Sequence, residues 1–132
     1  FIDGNEYTVD CLFDKQNNLI FSLSRRRIVA SNISLINKIE KNKILHNLCK
    51  KISKHIKFYG PVNFQFIIDK KTKKIYLIEI NPRLSGGVIF SIKSGFNIID
   101  MAIKTHIGKK INFNVDVKYN KTYFRYLKTE TF

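Results

Sequence analysis

Apolar and polar positions alternate almost from the start of the chain. Over residues 5–14, Tyr7, Val9, Cys11 and Phe13 alternate with polar neighbours until Leu12, the two-residue period of a strand. Lys15-Gln16-Asn17-Asn18 has turn chemistry, and 19–28 resumes as a strand, so 5–29 is expected to be a β-hairpin. Residues 30–37 show no clear period and are expected to be a loop. From about Lys38 the apolar set is Ile39, Ile44, Leu45, Leu48, Cys49, Ile52 and Ile56. Its spacings of three and four predict an amphipathic helix with lysines on the other face, ended by Gly60-Pro61. Two further strands follow, 62–69 and the short, apolar 75–81, joined by a polar turn over 69–74 into an antiparallel hairpin. After a loop at 82–87, a helical pattern within 88–107 (Ile98, Ile99, Met101, Ala102, Ile103, Ile107) ends near Gly108. The tail 111–129 alternates again around a turn at Tyr119-Asn120-Lys121. No repeat, linker or second domain is visible. The expected class is α+β: an antiparallel β-sheet with two main helices packed on one face, residues 1–132 forming one domain.

Composition narrows the function classes. The 132 residues carry 24 Lys+Arg against 10 Asp+Glu, a formal charge of +14, and 44% are hydrophobic, enough for a core. No apolar run is long enough to span a bilayer, which excludes a transmembrane chain. Cys11 and Cys49 are too few for a disulfide scaffold or a four-cysteine zinc site, so a reduced, cytoplasmic setting is expected. The chain begins with Phe1 and shows no signal peptide, so a piece of something longer is expected. The charge is mostly lysine, 19 Lys against 5 Arg, and Ile, Lys and Asn make up 53 of the 132 residues, a bias that A- and T-rich codons share. Base readout and bidentate phosphate recognition favour Arg. A basic nucleic-acid- or anion-binding module without catalysis is therefore the alternative reading rather than the leading one.

The chemistry concentrates in 79–87, Glu-Ile-Asn-Pro-Arg-Leu-Ser-Gly-Gly. Glu79 and Asn81 are the hydrophilic side chains of an otherwise apolar strand and share a face by period two. A carboxylate and an amide oxygen are hard ligands suited to Mg²⁺ or Mn²⁺. Arg83 follows a stiffening proline and suits phosphate, while Gly86 and Gly87 allow close backbone approach. A strand end with a capping Asn and a surface Arg would give the same residues. If Asp69 faces Ile75, paired numbers sum to 144 and Gln65 lies opposite Glu79 on the same face, whereas a slip of one residue would separate them.

The pattern Gly60-Pro61-Val62-Asn63-Phe64-Gln65 followed by Glu79-Ile80-Asn81-Pro82-Arg83-Leu84-Ser85-Gly86-Gly87 resembles the ATP-grasp superfamily, in its carbamoyl-phosphate-synthase large-chain type. Phe1-Ile2-Asp3-Gly4-Asn5-Glu6-Tyr7-Thr8-Val9-Asp10 is similar to the segment after that family's adenine hinge, and Ser94-Gly95-Phe96-Asn97 to a helix entry. The resemblance covers 1 to about 108 and implies the C-terminal subdomain of an ATP-grasp fold, with the N-terminal subdomains absent. It implies two Mg²⁺ (or Mn²⁺) ions, one on Gln65 and Glu79 and one on Glu79 and Asn81. Arg83 would stabilise the transferred phosphoryl group, Glu6 would hold the ribose, and Phe1 would lie by the adenine through its backbone. Arg25 and Arg27 are similar to the family's Arg-rich strand end and would face phosphate or substrate; otherwise they are surface cations. The implied partners are ATP, a small carboxylate and the rest of the protein. The implied reaction activates the carboxylate, or bicarbonate, as an acyl phosphate that an amine or similar nucleophile captures. The fragment alone is expected to be inactive. Ala30-Ser31-Asn32-Ile33-Ser34 lacks the glycine usual after the arginines, and the oligomeric state stays open. His46, His55 and His106 are expected to face solvent and Cys11 and Cys49 to lie in or near the core; Asp10, four residues from Glu6 on the same face, is expected to be an ordinary hairpin residue, with lining the site as the alternative.

Overall fold

Six antiparallel strands form one sheet in the order β5-β4-β1-β2-β3-β6. The computed structural model describes residues 2–30, 34–111 and 115–126. The elements are β1 (Gly4–Phe13), β2 (Leu19–Ala30), β3 (Ser34–Glu40), α1 (Lys43–Ile52), β4 (Gly60–Asp69), β5 (Ile75–Asn81), α2 (Val88–Lys93), α3 (Ile98–His106) and β6 (Thr122–Phe124). No helix among the described residues is long and apolar enough to cross a membrane.

β1 lies between β2 and β4, and its alternation sorts the whole sheet. Tyr7, Val9, Cys11 and Phe13 point to one side, where they pack with Val62, Phe64 and Phe66 of β4 and with Leu45 and Cys49 of α1. Leu12 points to the other and joins Leu23, Ile39, Phe96, Ile98 and Met101, the cluster that seats α3. The α+β class with an antiparallel sheet holds, and the helices divide between its two faces. The division follows from β1 itself, because Leu12 interrupts the alternation and gives the second face an apolar end.

The expected loop at 30–37 and the helix start near Lys38 are replaced by a strand, β3, which pairs Ile39 with Arg25 and Asn37 with Arg27. Asn37 is buried at a position where the alternation calls for an apolar residue, which hides the strand's period. The helix starts instead at Lys43, where the Asn42 side chain caps it by accepting from the Leu45 amide at 3.1 Å. It ends at Ile52, and Gly60, at φ +80°, opens β4 rather than closing the helix. The 88–107 pattern is two helices. Gly95 separates them at φ +106°, where a Cβ would meet the Asp116 carbonyl at 2.3 Å. Of the expected alternation over 111–129, β6 is the part that pairs, against β3, while 112–114 and 127–129 fall outside the described residues.

The β4 and β5 hairpin carries a β-bulge. Ile68 pairs with Ile75, Ile67 with Tyr76 and Phe66 with Leu77; the register then shifts, and Gln65 pairs with Glu79 and Asn63 with Asn81. At the turn, Ile75 faces Ile68 rather than Asp69 as expected, and the Asp69 amide donates to the Lys74 carbonyl at 2.9 Å. Ile78 is the extra residue that absorbs the difference.

Candidate functional site

The face that seats α3 at its apolar end is polar elsewhere. The registers set Glu6, Thr8 and Asp10 of β1 in line with Arg25 and Arg27 of β2, Asn37 of β3, Asn63 and Gln65 of β4, and Glu79 and Asn81 of β5. A cleft of about 410 Å³ opens over this patch, lined in part by Arg27, Gln65, Arg83, the 85–87 loop and Arg125.

Gln65 lies opposite Glu79 and Asn63 opposite Asn81, so the three expected oxygen donors Gln65, Glu79 and Asn81 share one face. Glu79 is exposed, whereas the Asn81 Nδ2 is buried without a hydrogen-bond partner. The donors are one carboxylate and two carboxamides, all hard oxygens. No cluster of three His, Cys, Asp or Glu among the described residues could hold a metal by itself. That set fits a Mg²⁺ or Mn²⁺ ion that completes its oxygen shell with phosphate, not one bound by the protein alone. Arg83 is exposed; its Nη1 donates to the Leu84 carbonyl at 3.0 Å.

Arg27 is ion-paired with Glu6, and its Nη1 also reaches Gln65 Oε1 at 3.5 Å. Both thus border the metal-ligand candidates. Arg25 is different. It is 1% exposed, and its Nε and Nη2 donate to the two oxygens of Asp10 at 3.0 and 3.3 Å. Its Nη1 donates to Asn37 at 3.1 Å and its Nη2 also to Ser85 at 2.8 Å. Asp10 accepts further bonds from Ser91 of α2 and from Asn63 at 3.2 Å. Burial pushes the Asp10 carboxyl up, but the Arg25 charge and these hydrogen bonds outweigh it and hold it below the usual carboxylate range. Phe1 and residues 31–33 lie outside the described residues.

Asp10 carries a larger part than the leading sequence expectation gives it, and Arg125 is not anticipated from the sequence. Asp10 is no ordinary hairpin residue but the acceptor at the centre of the buried network, and the signal for it was the polar run Glu6, Thr8, Asp10 on one side of β1. Arg125, just past β6, reaches the cleft: its Nη2 donates to the carbonyls of Ser34 at 2.9 Å and Gly86 at 3.4 Å, and its guanidinium sits 5.4 Å from the Phe90 ring centroid. Local pattern gives no sign of it, because β6 pairing brings it there. His46, expected to face solvent, is half-buried and hydrogen-bonded through Nδ1 to Ser22 Oγ at 2.7 Å. Burial lowers its pKa.

A family model described as "ATP-grasp in the biosynthetic pathway with Ter operon" matches residues 1–131. The chain belongs to this ATP-grasp family. Among curated proteins, this ATP-grasp chain is 34% identical over 132 residues to the carbamoyl phosphate synthase large chain of Clostridium botulinum, which covers 89% of the chain and 12% of that protein. The curated relatives are much longer, and the chain spans from 6% to 12% of their length. Among solved structures it is similar to N5-carboxyaminoimidazole synthetase from Staphylococcus aureus complexed with ADP, with a TM-score of 0.74 at 20% identity, covering 89% of this chain and 33% of that one. It is also similar to the biotin carboxylase domain of Hydrogenobacter thermophilus 2-oxoglutarate carboxylase in complex with MgADP, ADP and bicarbonate, with a TM-score of 0.72 at 22% identity, covering 92% and 29%. At these identities the two structures speak for the fold.

Proposed function

We propose that this chain is the nucleotide- and metal-binding half of an ATP-grasp ligase that activates a carboxylate, or bicarbonate, as an acyl phosphate for capture by an amine or similar nucleophile. The observation that carries the proposal is the register that sets Gln65 opposite Glu79 and Asn63 opposite Asn81, on the face where the cleft opens beside Arg83. Gln65, Glu79 and Asn81 would hold two Mg²⁺ or Mn²⁺ ions, with Glu79 shared. When bound, the ions neutralise charge across the nucleotide's β- and γ-phosphate oxygens.

The chain's own residues supply the rest. Arg83 offers a bidentate guanidinium to the γ-phosphoryl group as its charge redistributes. Glu6, half-buried near the start of β1, suits the ribose hydroxyls, and its pairing with Arg27 keeps that guanidinium beside Gln65. Phe1 would lie by the adenine through its backbone. In the reaction a carboxylate oxygen attacks the γ-phosphorus and the bond to the ADP oxygen breaks. The nucleophile then attacks the acyl carbon, loses its proton, and inorganic phosphate leaves. The nucleotide would be gripped between this chain and the rest of the protein, so the isolated chain should not turn over ATP.

The test uses the full-length protein that carries this chain. ADP release is measured against a panel of carboxylates and amines, with Glu79→Gln alongside. Turnover should fall at least about a hundredfold in Glu79→Gln, since losing the sole carboxylate among the expected ligands weakens metal-assisted charge stabilisation. Full turnover by Glu79→Gln in an active parent would overturn the metal assignment.

A further inference from the structure

Arg25 lies at the floor of the cleft but is only 1% exposed. It is buried among Asp10, Asn37 and Ser85, yet it touches the loop that carries Arg83. We propose that Arg25 is a positioning residue: through Ser85 and Gly87 it fixes the 82–87 loop, and with it the placing of Arg83 in the cleft. This rests on the reading that Arg83 meets the nucleotide's terminal phosphate.

Stability does not demand a buried ion pair at this position, because well-packed apolar residues of similar volume often do as well or better. An apolar side chain cannot do what the guanidinium does here. Its planar fork makes four hydrogen bonds at fixed angles to Asp10, Asn37 and Ser85, which a lysine's point charge cannot reproduce. One of those bonds leaves the sheet and holds the loop.

Gly87 gives an independent sign of the same clamp. Its φ is −100°, a conformation open to any residue, so the backbone does not require glycine. The space does: a Cβ would lie 2.4 Å from Arg25 Nη1 and 3.0 Å from its Cζ. The loop backbone therefore lies directly against the guanidinium.

Asp10 extends the clamp past the loop. It holds Arg25 with two bonds and also accepts from Ser91 in α2, the helix that follows the loop. At the loop's other end, the Arg83 amide donates to the Asn81 carbonyl at 2.8 Å. Arg83 thus sits between a strand end and a serine tied to the buried ion pair, with its own side chain left facing the cleft.

The experiment measures binding of the magnesium complex of a non-hydrolysable ATP analogue to the full-length protein by calorimetry, with thermal melting in parallel. Ser85→Ala removes the bond to the loop but leaves Arg25 paired with Asp10, so melting should barely move. Nucleotide binding should weaken about tenfold, the size of one charge-assisted hydrogen bond. Ser85→Thr, which keeps the hydroxyl, should restore it, and Gly87→Ala should weaken binding as Ser85→Ala does. The deciding measurement repeats Ser85→Ala in an Arg83→Ala background, where no further loss is expected because the residue acted through Arg83. An equal loss in both backgrounds, or none from Ser85→Ala while Arg83→Ala weakens binding, overturns the positioning role. If Arg83→Ala itself changes nothing, the phosphate reading of Arg83 fails, and the positioning proposal fails with it.

Discussion

β1 has two sides with opposite chemistry. On the α1 side, Val9, Cys11 and Phe13 are fully buried in an apolar cluster that includes Phe64. On the other side, one residue away in each case, Thr8 and Asp10 are just as buried but lie among charges and hydrogen bonds. The apolar side holds by contact area, which has no direction and tolerates small shifts. The polar side holds by bonds with fixed angles, whose loss leaves a buried group unsatisfied. One strand therefore anchors the fold with one side and aims a site with the other.

The largest effect expected on this contrast comes from the apolar side. Phe64→Ala should cost about 3–5 kcal/mol in denaturant unfolding, since it empties the space that Phe13, Phe58 and Phe66 surround. A loss under about 1 kcal/mol would mean that the cluster collapses to fill the gap.

Asp10→Asn probes the polar side and should cost about 3 kcal/mol, because it leaves the Arg25 charge buried without its counter-ion. It also carries a pH signature. The Asp10 pKa is lowered in the fold, so its stabilisation is complete above the ordinary value of 3.8 and is lost as pH falls below it. Acid unfolding curves of wild type and Asp10→Asn should converge as the pH drops. Curves that stay parallel would show that Asp10 is not ionised in the fold.

The smallest effect is at Tyr7, which has an apolar body on the α1 side and a hydroxyl bonded to Glu40 at 2.8 Å. Tyr7→Phe should cost about 1 kcal/mol at neutral pH. Burial, then the Glu40 carboxylate, pushes the Tyr7 hydroxyl up to about 12 from 10.0. Its stabilisation is therefore whole below pH 10.0 and lost as pH rises through about 12. The gap between wild type and Tyr7→Phe should narrow over that window, and an unchanged gap would show that the bond to Glu40 does not form.

Much of this was legible in the sequence, though unevenly. The hairpins followed from period-two alternation, and Gln65 was expected opposite Glu79 from a turn that put Asp69 across from Ile75. That pair forms, but by another route. Asp69 accepts from the amides of Lys71 and Thr72, and Lys73 takes φ +59°, which makes the turn one residue tighter. Turn and bulge offset each other, and no periodicity rule sees a bulge. β3 was hidden because a buried Asn37 answers to Arg25 across the sheet, not to its neighbours in sequence. The resemblance offers phosphate or substrate for Arg25, with a surface cation as the other reading; its burial against Asp10 and Ser85 depends on residues 15 and 60 positions away, beyond any local pattern.

Ile78 can also be seen as a question of parity. A strand has only two orientations for each side chain, so the turn at 69–74 fixes an odd or even phase that would otherwise propagate along all of β5. The site needs the opposite phase, and Ile78 is the single residue that switches it. Were Ile78 instead paired with Gln65, with no bulge, every expected ligand would remain in the chain while Glu79, opposite Phe64, and Asn81 turned towards α1. The composition of the site would be intact and its inside and outside exchanged.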